Sequence, residues 1–244
     1  MNPLDRLKQL LKELLHRQGL DLVPILPAFH EGARRRRLLQ YHQIDTVLDV
    51  GANIGQFASG LREELGYRER IVSFEPLANA FAELQARSQH DPLWDVHRYA
   101  LGRSDTTQKI HVARNSVSSS IFEMLPAHES AAPESKYVAT EDIEVRALDS
   151  VFHDLDCDGR QLLLKIDTQG YEAEVLHGAH KSLAATRLVQ IEMSLCSLYD
   201  GQPLFPEMLK LMLSVGFEPI SFETGFVDPH TGHTLQVDGF FTRS

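Results

Sequence analysis

No run of apolar residues in the sequence approaches the ~18 that a bilayer-crossing helix needs, and cysteine is nearly missing. Cys157 and Cys196 are the only two in 244 residues. They stand far apart, outside any C-x-x-C pair or metal-ligand spacing. The composition therefore excludes a disulfide framework and a thiolate metal site, and it fits a reducing, cytoplasmic setting. Positive charge is short as well: 24 Lys and Arg face 34 Asp and Glu, a net charge of −10. A protein whose affinity comes from neutralising phosphates needs the opposite balance, so nucleic acid is not an expected partner. The one basic run, Arg34 to Arg37, reads as a solvated helix face. Among twelve histidines none forms an H-x-x-x-H pair with a glutamate base, and His177 and His180 fall on an ordinary amphipathic helix.

What is present is a large apolar fraction, 43%, enough for one sizeable domain with an appendage. The appendage is residues 1–36. Leu4, Leu7, Leu11, Leu14 and Leu15 recur at helical spacing with charged residues between them, which predicts an amphipathic helix rather than a signal peptide. Its leucine face can dock on the domain, pair with another subunit in a homo-oligomer, or touch a membrane. The two prolines of "LVPILPAF" prevent a continuous helix, so a linker precedes a second helix from about Gly32 to Tyr41.

The main domain, 37–244, alternates strand and helix. "TVLDV", "RIVSFEP" and "WDVHRYALG" are separated by the helical stretches "FASGLREEL" and "ANAFAELQARS", a pattern that predicts right-handed crossovers onto a parallel sheet. Residues 115–140 are rich in Ser, Ala, Glu and Pro with weak periodicity, and read as a mobile substrate loop or lid. Order returns with "IEVRALDSVF", followed by "QLLLKID", "YEAEVLHGAHKSL", "RLVQIEMS" and "PEMLKLMLSVG". "FEPISFE" and "TLQVDGFFTR" then make a terminal hairpin.

The first strand-to-helix turn, "DVGANIG", carries Gly51 and Gly55. Ligands of open parallel sheets bind outside the carboxyl ends of the strands, and glycine lets a ligand approach the backbone closely. Asn53 adds an amide to the same bend. Glu75 follows Gly55 by 20 residues, the interval at which a nucleotide-binding sheet places an acid for ribose hydroxyls. "GANIG" lacks the close glycine pair of G-x-G-x-x-G, so the expected ligand has a ribose without a pyrophosphate. S-adenosylmethionine fits that description, with Asp49 attracting the ammonium of its amino-acid tail.

The motifs "VLDVGANIGQF", "IVSFEP", "YALG", "SSSIF", "LLKIDTQGYEAEVLHGA", "QIEMSLCSLYDG" and "VDGFFTR", in that order, resemble the FkbM-type family of S-adenosylmethionine-dependent methyltransferases over roughly Arg37 to Arg243. The resemblance implies an α/β fold: a Rossmann-like seven-stranded sheet with an antiparallel last strand and helices on both faces. It implies cofactor at Gly51, Asn53, Gly55 and Glu75, with Ala100 and Leu101 flanking the adenine, and a hydroxyl as the usual methyl acceptor. Thr168-Gln169 stands where Val-Glu is frequent, which makes Gln169 a poor acid or base.

A hydroxyl is a weak nucleophile and gains from a general base or from an acidifying metal. Three acids end predicted strands on the cofactor side: Asp167, Glu192 and Asp238. Asp167 is the expected base. Glu192 either orients the acceptor or shares a divalent ion, Mg or Mn, with Asp167, in a cluster that Asp238 completes; the sequence does not require a metal. Lys165, two residues before Asp167, shares its face of the strand and pairs with an acid at the site or in a structural ion pair. Ser118, Ser119 and Ser120 in the predicted loop are candidate contacts to a polyhydroxyl acceptor. The expected activity is O-methylation of a sugar, glycan or glycosylated metabolite. A polyketide or peptide acceptor, and a non-catalytic cofactor-binding module, are the rival readings.

Overall fold

Every residue of β1 (Thr46–Val50) and of the strand Leu162–Ile166 is buried, the mark of parallel strands covered on both faces. The computed structural model describes residues 3–243, and side chains from Asp5 onward, so Leu4 of the expected leucine face lies outside them. Two units divide the chain, one ending at Leu38 and the other running from Leu39. The first contains helix α1 (Pro3–His16) and most of α2 (Glu31–Tyr41).

In the second unit, β1 is followed by α3 (Gln56–Glu63), β2 (Arg70–Phe74), α4 (Ala78–Ser88), β3 (Trp94–His97), β4 (Ala100–Leu101) and β5 (Thr106–Ala113). Then come α5 (Pro126–Ala131), β6 (Tyr137–Arg146), α6 (Leu148–Val151), β7 (Leu162–Ile166), α7 (Glu172–His177) and α8 (Ser182–Ala185). The chain finishes with β8 (Thr186–Ser194), α9 (Phe205–Ser214), β9 (Glu218–Thr224) and β10 (Gln236–Thr242). Seven strands form one sheet in the order β3-β2-β1-β7-β8-β10-β9. Its inner pairs are parallel, and β10 alone runs antiparallel to both neighbours. The Rossmann-like sheet with an antiparallel last strand is therefore present.

One apolar core joins Leu48, Val50, Val72, Phe74, Leu164 and Ile166 of the strands to Val175 and Leu176 of α7 and Met208 and Met212 of α9. The opposite face carries a buried polar row. Ser73, Asp49, Lys165 and Gln190 are register partners on β2, β1, β7 and β8, and all four are buried. The Trp94 indole donates to Ser73 Oγ at 3.0 Å, and Ser73 Oγ donates to Asp49 Oδ2 at 3.1 Å, so the row is internally bonded.

The stretch 115–140 departs from its expected form as an unstructured lid. It holds α5, a 3₁₀ turn at Pro133–Ser135 and the first residues of β6. β6 pairs along its length with β5, and both belong to a separate three-stranded sheet, β4-β6-β5. "WDVHRYALG" likewise is two strands in two sheets. The weak periodicity has a physical source: most residues of β5 and β6 are exposed or half-buried, so little apolar alternation is required of them.

Candidate active site

At the carboxyl ends of β1, β2 and β7 the chain opens into a cavity. Gly51, Asn53, Glu75, Ala100, Leu101, Asp167 and Tyr171 line it, together with Val50, Phe74, Leu77, Ile110 and Ile121. Gly51 has φ +75°, and a Cβ there would stand 1.8 Å from the Asp167 carbonyl oxygen; only glycine fits the turn. The Glu75 carboxylate closes the other side. Its Oε2 accepts from the Asn53 N–H and its Oε1 from the Leu77 N–H, both at 2.8 Å. A second lone pair remains on each oxygen. Burial pushes the Glu75 carboxyl up to about 7, against the two amide donors that favour its charge.

A second cavity is lined by Gln56, Phe57, Lys165, Gln190 and Asp238, and shares Gly51, Asn53, Val117 and Asp167 with the first. The two spaces therefore meet at Asp167. Lys165 Nζ lies 3.1 Å from Asp49 Oδ1 and 3.7 Å from Asp167 Oδ2, and it donates to the Gly51 carbonyl at 3.2 Å. Burial opposes its charge, but Asp49 and Asp167 outweigh it and hold the amine above its ordinary pKa. Lys165 is thus both a structural partner of Asp49 and a neighbour of the site acid.

Gln169 occupies the centre of the acids. Its Nε2 donates to Asp167 Oδ1 at 2.8 Å and to Glu192 Oε2 at 2.9 Å, and its Oε1 accepts from the Tyr199 hydroxyl at 2.8 Å. Gln236 Nε2 also donates to Glu192 Oε2, at 2.6 Å. Burial, then Asp167, Glu172 and Asp238, push the Glu192 carboxyl well above the usual range. Gln169 holds this position with φ +56°. The adjoining turn is fixed by Glu172, whose Oε1 accepts from Thr168 N–H, Thr168 Oγ1 and Gly170 N–H.

Several expected site residues lie elsewhere. Gly55 is absent from both cavity linings; a Cβ there would meet Leu84 and Trp94 at 3.0 Å, so it permits close packing of α3. Asp49 is fully buried beneath the turn. Of the three serines, Ser119 lines the first cavity. Ser118 and Ser120 are buried and bonded within the protein: Ser118 Oγ accepts from Asn115, and Ser120 Oγ donates to the Gln169 carbonyl at 2.6 Å. The suggested cluster of Asp167, Glu192 and Asp238 is also corrected. Among the described residues no three His, Cys, Asp or Glu side chains are arranged to hold a metal ion, and a hydrogen-bond donor, the Gln169 amide, stands between Asp167 and Glu192.

The family profile described as "Methyltransferase FkbM domain" matches residues 49–219, which include both glycines of the turn, Glu75, Asp167 and Glu192. The chain belongs to the FkbM methyltransferase family. As an FkbM methyltransferase it has S-adenosylmethionine as its cofactor, and the residues present fit that group. Gly51 brings the backbone of the first turn to the cavity wall, close against Asp167, and the first cavity combines an apolar lining with one buried carboxyl. No curated protein matches the chain. Among solved structures it is similar to a magnesium protoporphyrin IX methyltransferase from Synechocystis PCC 6803 with bound SAM, at 10% identity and TM-score 0.47 over 88% of this chain and 78% of that one. A putative RNA methyltransferase from Pyrococcus horikoshii is similar at 11% identity and TM-score 0.44, over 87% and 83%.

Gln169, Tyr199, Gln236, Glu172 and Gln190 were not singled out as site residues by sequence reasoning. The available signal was their position: Gln169 two residues beyond Asp167, and Gln190 two residues before Glu192 on the same strand face.

Proposed function

We propose that this FkbM methyltransferase transfers a methyl group to a hydroxyl of a sugar, glycan or glycosylated metabolite. The observation that carries the reading is the pair of cavities joined at Asp167: one mainly apolar with a buried carboxyl, the other lined by Lys165, Gln190, Gln56 and Asp238. Polar side chains of alternating charge suit an acceptor with several hydroxyls better than a polyketide surface.

S-adenosylmethionine supplies an electrophilic methyl on a positively charged sulfur. On the protein side, Gly51, Asn53, Ala100 and Leu101 shape the donor pocket and Glu75 accepts from ribose hydroxyls. Asp167 takes the proton of the acceptor oxygen as a general base. Glu192, which lines neither cavity, acts through Gln169, whose amide it holds against Asp167. Lys165 and Gln169 fix the Asp167 carboxylate from two sides, so the base is held in place before the acceptor arrives. Ser119 contributes from the rim of the donor pocket. The free thiols Cys157 and Cys196 support a cytoplasmic setting, and the net charge argues for a small-molecule or glycan acceptor over nucleic acid.

Calorimetry with S-adenosylmethionine tests the donor site, and mass spectrometry of reactions with a panel of sugars, glycolipids, polyketides and peptides tests the acceptor. Transfer to a polyketide or peptide hydroxyl with none to sugars would replace the sugar reading. Tight cofactor binding without transfer to any of them would favour the non-catalytic module.

A further inference from the structure

The first unit carries eight Lys and Arg against four Asp and Glu, net +4, while the remainder carries sixteen against thirty, net −14. Charge is thus segregated by unit. Exposed apolar surface is segregated in the same sense. Ten of the eighteen large hydrophobic side chains exposed among the described residues lie between Leu7 and Phe29. On α1, Leu7, Leu10, Leu11 and Leu14 are 63%, 58%, 46% and 60% exposed. Leu22, Ile25, Leu26 and Phe29 follow at 46–75%.

At 3.6 residues per turn these leucines form one stripe of α1. Lys8 borders it on one side and Arg6 on the other, with Glu13 next to Arg6 and with Lys12 and Asp5 on the far face. The turn after the helix folds back: the Leu20 N–H donates to the Leu15 carbonyl at 3.0 Å, and Asp21 meets His16 at 2.9 Å and Lys12 at 3.4 Å. The apolar segment beginning at Leu20 is thereby tied to the end of α1.

We infer that this unit docks on an anionic lipid surface, with α1 lying in the plane of the interface. An apolar stripe flanked by basic side chains is the pattern of such helices: the leucines enter the acyl boundary while Lys and Arg reach anionic headgroups. Two alternatives are weaker. No helix among the described residues is long and apolar enough to cross a membrane. A paired coil with a second copy would rest on 14 residues, about two heptads, where three to four are usual. The proposal stands independently of the acceptor assigned above.

The test is flotation of the full chain with vesicles of phosphatidylcholine alone or mixed with phosphatidylglycerol. Recovery with the anionic vesicles should exceed that with the neutral ones by about tenfold at low salt, and should collapse at about 0.5 M salt. Leu7→Glu/Leu11→Glu/Leu14→Glu should lower it by about tenfold or more. Arg6→Glu/Lys8→Glu, which keeps the leucines, should abolish the preference for anionic lipid. Unchanged cofactor binding by both variants checks that the rest of the chain is folded. No flotation with anionic vesicles, or flotation unaffected by the leucine substitutions, overturns the inference. So does a dimer that those substitutions dissociate without any vesicle binding, which would assign the stripe to a second copy.

Discussion

In the reading proposed above, the donor and acceptor cavities share Gly51, Asn53, Val117 and Asp167 yet are built from different materials. On the donor side the backbone does most of the work: Gly51 in a left-handed turn, amide N–H groups donating to Glu75, and an apolar wall. The acceptor side is lined by the side chains of Lys165, Asp167, Gln190 and Asp238, and behind Asp167 the side chains of Gln169, Glu192, Gln236 and Tyr199 extend a continuous bonded network. A backbone-built pocket tolerates few shapes and recognises a constant ligand. A side-chain network can be rewritten one residue at a time, which lets acceptor preference change without rebuilding the fold.

Asp167→Asn tests that division with the largest expected effect. It keeps the shape of the network and removes a base, so turnover at saturating cofactor should fall by about 10²–10⁴-fold, with cofactor affinity changed little by calorimetry. A variant that turns over normally would move the base to Glu192 or Asp238. Gly51→Ala strikes the donor side instead. The methyl collides with the Asp167 carbonyl and the residue needs φ +75°, so we expect at least ~3 kcal/mol of lost stability and undetectable cofactor binding, measured by denaturant unfolding and calorimetry.

Glu75→Ala sharpens the contrast from the same side. Cofactor binding should weaken by about 1.5–3 kcal/mol, the value of hydrogen bonds to a charged group, with the turnover of saturated enzyme much less affected than in Asp167→Asn. Unchanged affinity in a folded variant would remove Glu75 from the ribose.

The same division explains which features were legible beforehand. Gly51 stands out in the sequence because a tight strand-to-helix turn admits few residues, and Glu75 because it follows Gly55 by 20 residues. Asp167 and Glu192, at or near the carboxyl ends of β7 and β8, were readable from the alternation of strand and helix, whereas Asp238 lies near the start of the antiparallel β10, opposite Glu192. Gln169 was not. It was set aside as neither acid nor base, yet its importance comes from donating two hydrogen bonds to carboxylates on different strands, a property of convergence in space. The β5–β6 hairpin was missed for another reason: its exposed faces put almost no apolar pattern into the chain.

The smallest expected effect concerns Glu172, which shapes the turn carrying Thr168 and Gln169 at the edge of the first cavity. Burial pushes its carboxyl up to about 7, above the ordinary value of ~4.3 of an unfolded chain. The folded state then binds more protons than the unfolded state between those values, and stability falls as pH rises through that window. The full shift would amount to about 3–4 kcal/mol; local relaxation as the carboxylate forms should reduce this to about 1–2 kcal/mol. Glu172→Gln keeps an oxygen to accept from Thr168 and Gly170 but cannot ionise. Its unfolding free energy should therefore decline less than the parent's between about pH 5 and 8, leaving the slope due to the other raised carboxyls, Glu75 and Glu192. Because Glu75 retains its carboxyl, the pH dependence of cofactor binding should be unaltered. A variant as pH-sensitive as the parent would show that Glu172 is already ionised at pH 5, its three donors outweighing burial.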